Sequence, residues 1–142
     1  ASVVPGISSA LGCAASAGLP LTHRDHAQTL TFVTGHAKSG EVPDLDWQAL
    51  AKPAQTVVVF MGVGTSGTIA ERLIAAGRAP STPIAVIENG TCENEIKVFG
   101  SLAEMPQLIA QAGITGPALL IIGEVSAIPA ETLQRFSMEV AA

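Results

Sequence analysis

A short polar loop near the start of the chain gathers several side chains that can do chemistry. Thr22, His23, Arg24 and Asp25 supply a hydroxyl, an imidazole, a guanidinium and a carboxylate at consecutive positions, and no acidic or basic side chain precedes them. A fixed cation beside hydrogen-bonding groups suits a ligand that carries carboxylates. A polar surface turn between a helix and a strand has the same composition, so the loop alone does not establish a site.

A glycine-rich segment in the middle of the chain offers a second candidate site. Gly62, Gly64 and Gly67 form a GxGxxG pattern that follows a predicted strand and opens a predicted helix. Glu88 lies about 20 residues further on, where an acid can bind a ribose hydroxyl. The pattern therefore predicts, as one alternative, the dinucleotide-binding domain of an oxidoreductase. Against it, such a domain carries its glycines after the first strand, whereas here a helix and a strand come first.

The composition indicates one globular domain that carries few charges. The chain has 142 residues, of which 48% are hydrophobic and 13% charged, and its net charge is −5. Without a basic run it is not expected to bind nucleic acid or an anionic membrane. Every apolar stretch is interrupted well before membrane-spanning length, and no signal peptide is predicted, so we expect a cytoplasmic protein.

Cysteine and histidine do not predict a metal site. Cys13 and Cys92 stand far apart in the sequence and form no CxxC pair, which is typical of two free thiols in a reducing cytoplasm. The three histidines, His23, His26 and His36, lack a partner set with metal-ligand spacing. We therefore expect no metal.

Strand and helix patterns alternate along the chain, which is typical of a layered α/β domain. Apolar runs predict strands over residues 29–34, 55–61, 83–88, 95–99 and 118–125. Capping residues, amphipathic spacing and terminal glycines predict helices over residues 8–17, 44–51, 66–76 and 102–112, with a loose helix over 129–142. The Asn89-Gly90 turn predicts a hairpin. The expected fold is α/β, a mixed sheet of about five strands flanked by helices.

The first residues look like the end of a strand with nothing before it. Val3-Val4-Pro5-Gly6 is too short to hold a place in a sheet. We therefore expect residues 1–142 to form one domain of a longer protein.

Four separated segments together resemble one known family. In order they are Val4-Pro5-Gly6-Ile7-Ser8-Ser9, Pro20-Leu21-Thr22-His23-Arg24-Asp25, Met61-Gly62 after a predicted buried strand, and Glu88-Asn89-Gly90-Thr91 after the next. The chain is thereby identified as similar to the tetrapyrrole methyltransferases. The second segment points to the members that act on uroporphyrinogen III.

The resemblance implies a function and a set of site residues. It implies S-adenosylmethionine-dependent C-methylation of uroporphyrinogen III to precorrin-2, on the way to siroheme, cobalamin or related tetrapyrroles, with S-adenosylhomocysteine as the product of the cofactor. The chain would be the C-terminal domain of the methylase fold, and the absent N-terminal domain would carry the glycine-rich cofactor loop and the proton-handling residues. Catalytic residues are therefore not assigned, and a homodimer is expected. The implied cofactor-binding residues are Pro5, Ser8, Ser9, Met61, Gly62 and Gly90, and the implied substrate-binding residues are Thr22, His23 and Arg24.

The sequence also departs from the family pattern. Phe60 stands where the family commonly has Tyr before the Met-Gly pair. After Glu-Asn-Gly-Thr the family usually carries Gln-Arg, whereas this chain has Cys92-Glu93-Asn94-Glu95. This difference puts in doubt any dimer or substrate contact that the missing arginine would make. A non-catalytic assembly module, whose apolar strands pair with a sister domain, is a third alternative.

Overall fold

A computed structural model describes residues 1–129 of the protein, and within them five strands form one sheet. The strands are β1 (Thr29–Thr34), β2 (Gln55–Phe60), β3 (Pro83–Glu88), β4 (Ile96–Ser101) and β5 (Ala118–Ile122). The helices are α1 (Ser9–Ser16), α2 (Trp47–Leu50), α3 (Ser66–Ala75), α4 (Met105–Gln111) and a 3-10 helix (Glu124–Ala127). The predicted helix over residues 129–142 lies outside the described residues, apart from its first position.

The sheet is mixed, with strand order β1-β2-β5-β3-β4. β1 and β2 are parallel, whereas β5 is antiparallel to both β2 and β3, and β3 pairs with β4 in the predicted hairpin. The carboxyl ends of β2 and β3 therefore meet the amino end of β5 at one edge of the sheet. These three central strands are nearly continuous apolar runs because both of their faces are covered.

Two apolar layers cover the sheet. On one face, α3 and α4 pack on the alternate residues of the central strands that include Val57, Val86 and Leu120. On the other face, α1 packs through Cys13 and its neighbours on the intervening residues, which include Ile87. Within α1 the buried residues are Ala10, Cys13 and Ala14, the spacing of one helix face. This second layer places the amino end of α1 beside the edge where β2 and β3 end.

Several element boundaries differ from those predicted. α2 begins at Trp47 rather than at residue 44, because the Asp46 side chain caps it by accepting from the Ala49 N–H at 3.0 Å. β2 ends at Phe60, one residue early. β5 ends at Ile122, because Gly123, with φ 146°, turns the chain into the 3-10 helix that contains Val125.

Candidate functional site

A cavity of about 480 Å³ opens at the edge where β2 and β3 end and β5 begins. Its walls come from the amino half of α1, the segments that follow β2 and β3, and the start of β5. The lining residues are Ser9, Cys13, Phe60, Met61, Val63, Gly64, Ile87, Asn89, Gly90, Cys92, Gly116, Pro117, Ala118 and Leu119. This volume is in the range of small-molecule sites, and the lining is mainly apolar.

Met61 lies at the mouth of this cavity directly after β2. Its backbone adopts a left-handed conformation with φ 55°, and its side chain is largely exposed, at 63%. A non-glycine residue with this φ is uncommon, and such residues often occur at functional sites. The abrupt end of β2 thus presents Met61 to the cavity instead of burying it in the sheet.

The turn after β3 forms the opposite wall. The Asn89 N–H donates to the Pro117 carbonyl at 3.0 Å, which ties the turn to the start of β5. Asn89 and Thr91 have positive φ angles of 49° and 69°, whereas Gly90 between them does not. A Cβ at Gly90 would overlap the Cys13 sulfur of α1. The glycine is therefore required by close packing against the helix and not by a left-handed backbone.

The amino-terminal segment contributes one residue to the cavity. Ser9 lines it, whereas the Ser8 hydroxyl caps α1 by accepting from the Ala10 N–H at 3.3 Å. Pro5 is exposed and does not line the cavity. Gly62 is buried beside it, where a Cβ would lie 2.8 Å from a Leu120 side-chain carbon. Of the six predicted cofactor residues, the structure thus brings Ser9, Met61 and Gly90 together around one cavity.

The loop of Thr22, His23 and Arg24 lies at the other end of the sheet. It closes on itself through the bridge between His23 and Ala27, and the adjoining Gln28 N–H donates to Ala54 just before β2 begins. The cavity lies past the opposite end of β2. The structure therefore does not bring these predicted substrate residues to the cavity within one chain, and their role stays a prediction.

Inside that loop, the charged groups are exposed and weakly paired. Arg24 and Asp25 are exposed, and the Asp25 carboxylate lies 3.9 Å from His23 Nδ1 rather than against Arg24. The His23 and His26 rings lie against each other with centroids 4.8 Å apart. The backbone amide of Asp25 also donates to His23 Nδ1 at 3.2 Å. Among residues 1–129, the guanidinium of Arg24 contacts no carboxylate that would hold it.

The structure corrects the dinucleotide interpretation of the glycine-rich segment. The Glu88 carboxylate is buried and accepts from the Thr115 and Gly116 N–H groups, so it stabilises the turn before β5 and does not face a ribose. In addition, antiparallel β5 lies between β2 and β3, whereas a dinucleotide-binding half has parallel neighbours there. Instead, Gly62 allows close packing after β2, and Gly64 lines the cavity.

Sequence reasoning predicted neither cysteine as a site residue, nor most of the apolar residues that line the cavity. Cys13 is buried and Cys92 exposed, yet both line the cavity. Burial raises the pKa of the Cys13 thiol, and the charge of Glu95 raises it further. The position of Cys92, directly after the Glu-Asn-Gly-Thr segment, was the available signal for its place in the site.

In the described part of the chain, no cluster of three or more His, Cys, Asp and Glu side chains is placed to hold a metal ion. No helix among residues 1–129 has both the length and the apolar character needed to cross a membrane.

The sequence pattern of the tetrapyrrole (corrin/porphyrin) methylases matches residues 1–106. The chain belongs to this family. A siroheme synthase of Chromobacterium violaceum is 57% identical to this chain over 123 residues, which are 87% of this chain and 26% of that protein.

Solved structures of methyltransferases share the fold. A uroporphyrin-III C-methyltransferase of Thermus thermophilus, crystallised with S-adenosylhomocysteine, superposes with a TM-score of 0.72 at 38% identity, over 89% of this chain and 53% of that one. A cobalt-precorrin-4 methyltransferase superposes with a TM-score of 0.76 at 26% identity, over 85% of this chain and 51% of that one. This chain therefore spans about a quarter of the siroheme synthase and about half of each solved enzyme.

Proposed function

We propose that the cavity between α1, Met61 and the Asn89-Gly90 turn binds S-adenosylmethionine and retains S-adenosylhomocysteine after methyl transfer. The observation that carries the proposal is the convergence of Ser9, Met61 and Gly90 on one cavity, from three segments that are distant in sequence. The similarity to an enzyme crystallised with S-adenosylhomocysteine supports the choice of ligand.

The cavity suits this cofactor in size and in charge. Its volume of about 480 Å³ accommodates a nucleoside with an amino-acid arm. Met61, Ile87 and Leu119 supply apolar contact, while the Asn89 amide and the amino end of α1 at Ser9 supply polar contact. None of the lining side chains is charged. A sulfonium cation meets no repulsion in such a lining, whereas the pyrophosphate of a dinucleotide would find no basic side chain.

We propose further that the whole protein C-methylates uroporphyrinogen III to precorrin-2, for siroheme, cobalamin or related tetrapyrroles. The names of the similar siroheme synthase and uroporphyrin-III C-methyltransferase support this substrate. The bound cofactor supplies an electrophilic methyl group, so the protein needs mainly to align it with a pyrrole carbon and to exclude water. In this chain, the apolar residues of β3 and β5 at the cavity exclude water, and the fixed turn at Gly90 orients the ligand.

The site is proposed to be completed by a second domain. This chain would be the C-terminal domain of the methylase fold, and an N-terminal domain with the cofactor loop and the proton-handling residues would close the cavity. We refer to the two domains together as the complete enzyme, and we propose that it is a cytoplasmic homodimer. The chain's share of each solved relative, 53% and 51%, is consistent with one half of a two-domain enzyme.

Calorimetry with S-adenosylhomocysteine and with NAD tests the proposal. We expect the complete enzyme to bind S-adenosylhomocysteine and not NAD, and this chain alone to bind S-adenosylhomocysteine weakly and to lack methyltransferase activity. Adding the N-terminal domain should restore both affinity and activity. Tight binding of NAD would overturn the assignment of the cofactor.

A further inference from the structure

Glu95, at the end of the turn after β3, connects that turn to α1 and to β4. Its carboxylate accepts from the Ser16 hydroxyl at the end of α1 at 2.6 Å, and from the Thr91 backbone N–H at 2.7 Å. Lys97 Nζ on β4 lies 2.7 Å from the same carboxylate and also donates to the Ser16 carbonyl at 2.7 Å. The Glu95 side chain is 12% exposed, whereas the Lys97 side chain that pairs with it is 33% exposed.

The segment that Glu95 holds has an unfavourable backbone conformation. Thr91 is β-branched and has φ 69°, and Asn89 has φ 49°. Asn tolerates this conformation, but for β-branched Thr91 it is costly and persists only where surrounding contacts hold it. The bond from the Thr91 N–H to Glu95 is such a contact, and it fixes the orientation of the peptide between Gly90 and Thr91.

The same segment packs directly on α1. A Cβ at Gly90 would overlap the Cys13 sulfur, and a Cβ at Gly12 would lie 3.4 Å from the Thr91 Cγ2 atom. Neither contact is itself strongly attractive. The helix and the turn are therefore held together by the hydrogen bond from Ser16 to Glu95. Ser16 lies two helical turns from the cavity-lining Ser9.

We propose that Glu95 is a positioning residue, which holds the turn of residues 89–92 against α1 and so fixes the cavity wall formed by Asn89, Gly90 and Cys92. The inference rests on the proposed function in so far as the cavity binds S-adenosylmethionine. The role fits the charge state of the group, since hydrogen bonds from Lys97, Ser16 and Thr91 lower the pKa of Glu95 to about 2. The carboxylate is thus ionised at neutral pH, so both of its oxygens can accept the hydrogen bonds described above.

The test compares Glu95→Ala with Glu95→Gln and with the control Glu93→Ala in the complete enzyme. Glu93 is exposed and lies in the same connection between β3 and β4, but it makes none of these bonds. Glu95→Ala should lower the affinity for S-adenosylhomocysteine by about tenfold, as expected for lost charge-assisted bonds. Glu95→Gln keeps one oxygen acceptor and should fall between Glu95→Ala and the wild type. The KM for S-adenosylmethionine should rise more than kcat falls, and Glu93→Ala should behave as the wild type.

Alkylation of Cys13 by iodoacetamide, read by mass spectrometry, gives a measurement that does not depend on the cofactor. Cys13 is buried beneath Gly90, so release of the turn in Glu95→Ala should speed its alkylation by about tenfold through local opening. Because Glu95→Ala also removes a charge that raises the Cys13 pKa, Ser16→Ala, which keeps that charge, is the variant that isolates opening of the turn. Ser16→Ala should have the same effect, and combining it with Glu95→Ala should add little.

The outcomes separate the two proposals. A wild type that does not bind S-adenosylhomocysteine contradicts the proposed function, while the alkylation rates still test Glu95. The positioning role is overturned if the wild type binds S-adenosylhomocysteine and Glu95→Ala matches it both in affinity and in the rate of Cys13 alkylation. Weaker binding with unchanged Cys13 alkylation also overturns it, because the turn would not have moved.

Discussion

Gly90 and Cys13 are in such close contact that any side chain at position 90 would overlap the Cys13 sulfur. The two residues belong to the turn after β3 and to α1, and both line the cavity. Their contact fixes the separation of two cavity walls. It also means that the shape of the cavity depends on one small residue in the turn and one sulfur atom in the helix.

Replacing Gly90 should therefore damage packing and ligand binding together. Gly90→Ala should lower the free energy of unfolding by about 1–3 kcal/mol, the usual cost of overpacking. It should also lower the affinity for S-adenosylhomocysteine, because the displaced turn changes the shape of the cavity. Urea unfolding of the chain and calorimetry of the complete enzyme measure the two effects.

The double variant Gly90→Ala with Cys13→Ala identifies the cause. Removing the sulfur leaves the Cys13 Cβ and the Ile87 Cγ2 each 3.3 Å from the new methyl group, which small shifts can accommodate, so most of the lost stability should return. Gly67→Ala is the control, because nothing lies within 4 Å of a Cβ there. A double variant no more stable than Gly90→Ala would show that the Cys13 sulfur is not the obstacle.

Bound cofactor should protect Cys92 from alkylation. Cys92 is exposed but lines the cavity, so a ligand beside Gly90 covers it. In the complete enzyme, saturating S-adenosylhomocysteine should slow iodoacetamide labelling of Cys92 by about tenfold or more, since the reagent then reaches the thiol only in the free enzyme. NAD at the same concentration should leave the rate unchanged. Equal protection by both compounds would contradict a cavity specific for S-adenosylhomocysteine.

Glu95 should make stability depend on pH in the acid range. Its pKa is lowered from 4.5 to about 2 in the folded chain, chiefly by the bond from Lys97, followed by those from Ser16 and Thr91. The unfolded chain binds the proton more readily, so the stabilisation from Glu95 is complete above pH 4.5 and is lost as the pH falls toward about 2. Urea unfolding should show Glu95→Ala less stable than the wild type at neutral pH. The difference should narrow below pH 4.5, and a constant difference would contradict the linkage.

The sequence was sufficient for the elements and insufficient for their contacts. Apolar runs such as residues 55–60 and 83–88 predict central strands because both faces are buried, and the Asn89-Gly90 turn predicts the hairpin that the structure confirms. Element ends were less predictable, since Asp46 caps α2 through a local bond that, from the sequence, Asp44 could equally have made.

The site depended on distances that no local pattern encodes. The contact of Gly90 with Cys13 joins residues that are far apart in the sequence, so glycine at 90 looked like a turn requirement when it is a packing requirement. Glu88 looked like a ribose ligand until the turn before β5 was seen to use its carboxylate. The Thr22 to Arg24 loop follows α1 in sequence, yet α1 carries the chain from the cavity to the opposite end of the sheet.

The position of Arg24 leads to the last prediction. The backbone after its loop bonds to Ala54 at the amino end of β2, whereas Met61 follows the carboxyl end of the same strand. A six-residue strand spans about 20 Å, which is too far for a direct effect on a ligand beside Met61. Arg24→Ala should therefore leave the affinity for S-adenosylhomocysteine unchanged. Met61→Ala should weaken it by about tenfold, through lost apolar contact worth roughly 1.5 kcal/mol.

Calorimetry and steady-state kinetics of both variants in the complete enzyme decide what the loop does. Weaker S-adenosylhomocysteine binding in Arg24→Ala would contradict the placement of the loop away from the cavity. A raised KM for uroporphyrinogen III with unchanged cofactor affinity would support the predicted substrate role. Because the loop and the cavity lie at opposite ends of the sheet in one chain, that role would require the loop of a second subunit to reach the substrate. A KM equal to that of the wild type would leave the loop as a surface turn, closed by the bridge between His23 and Ala27.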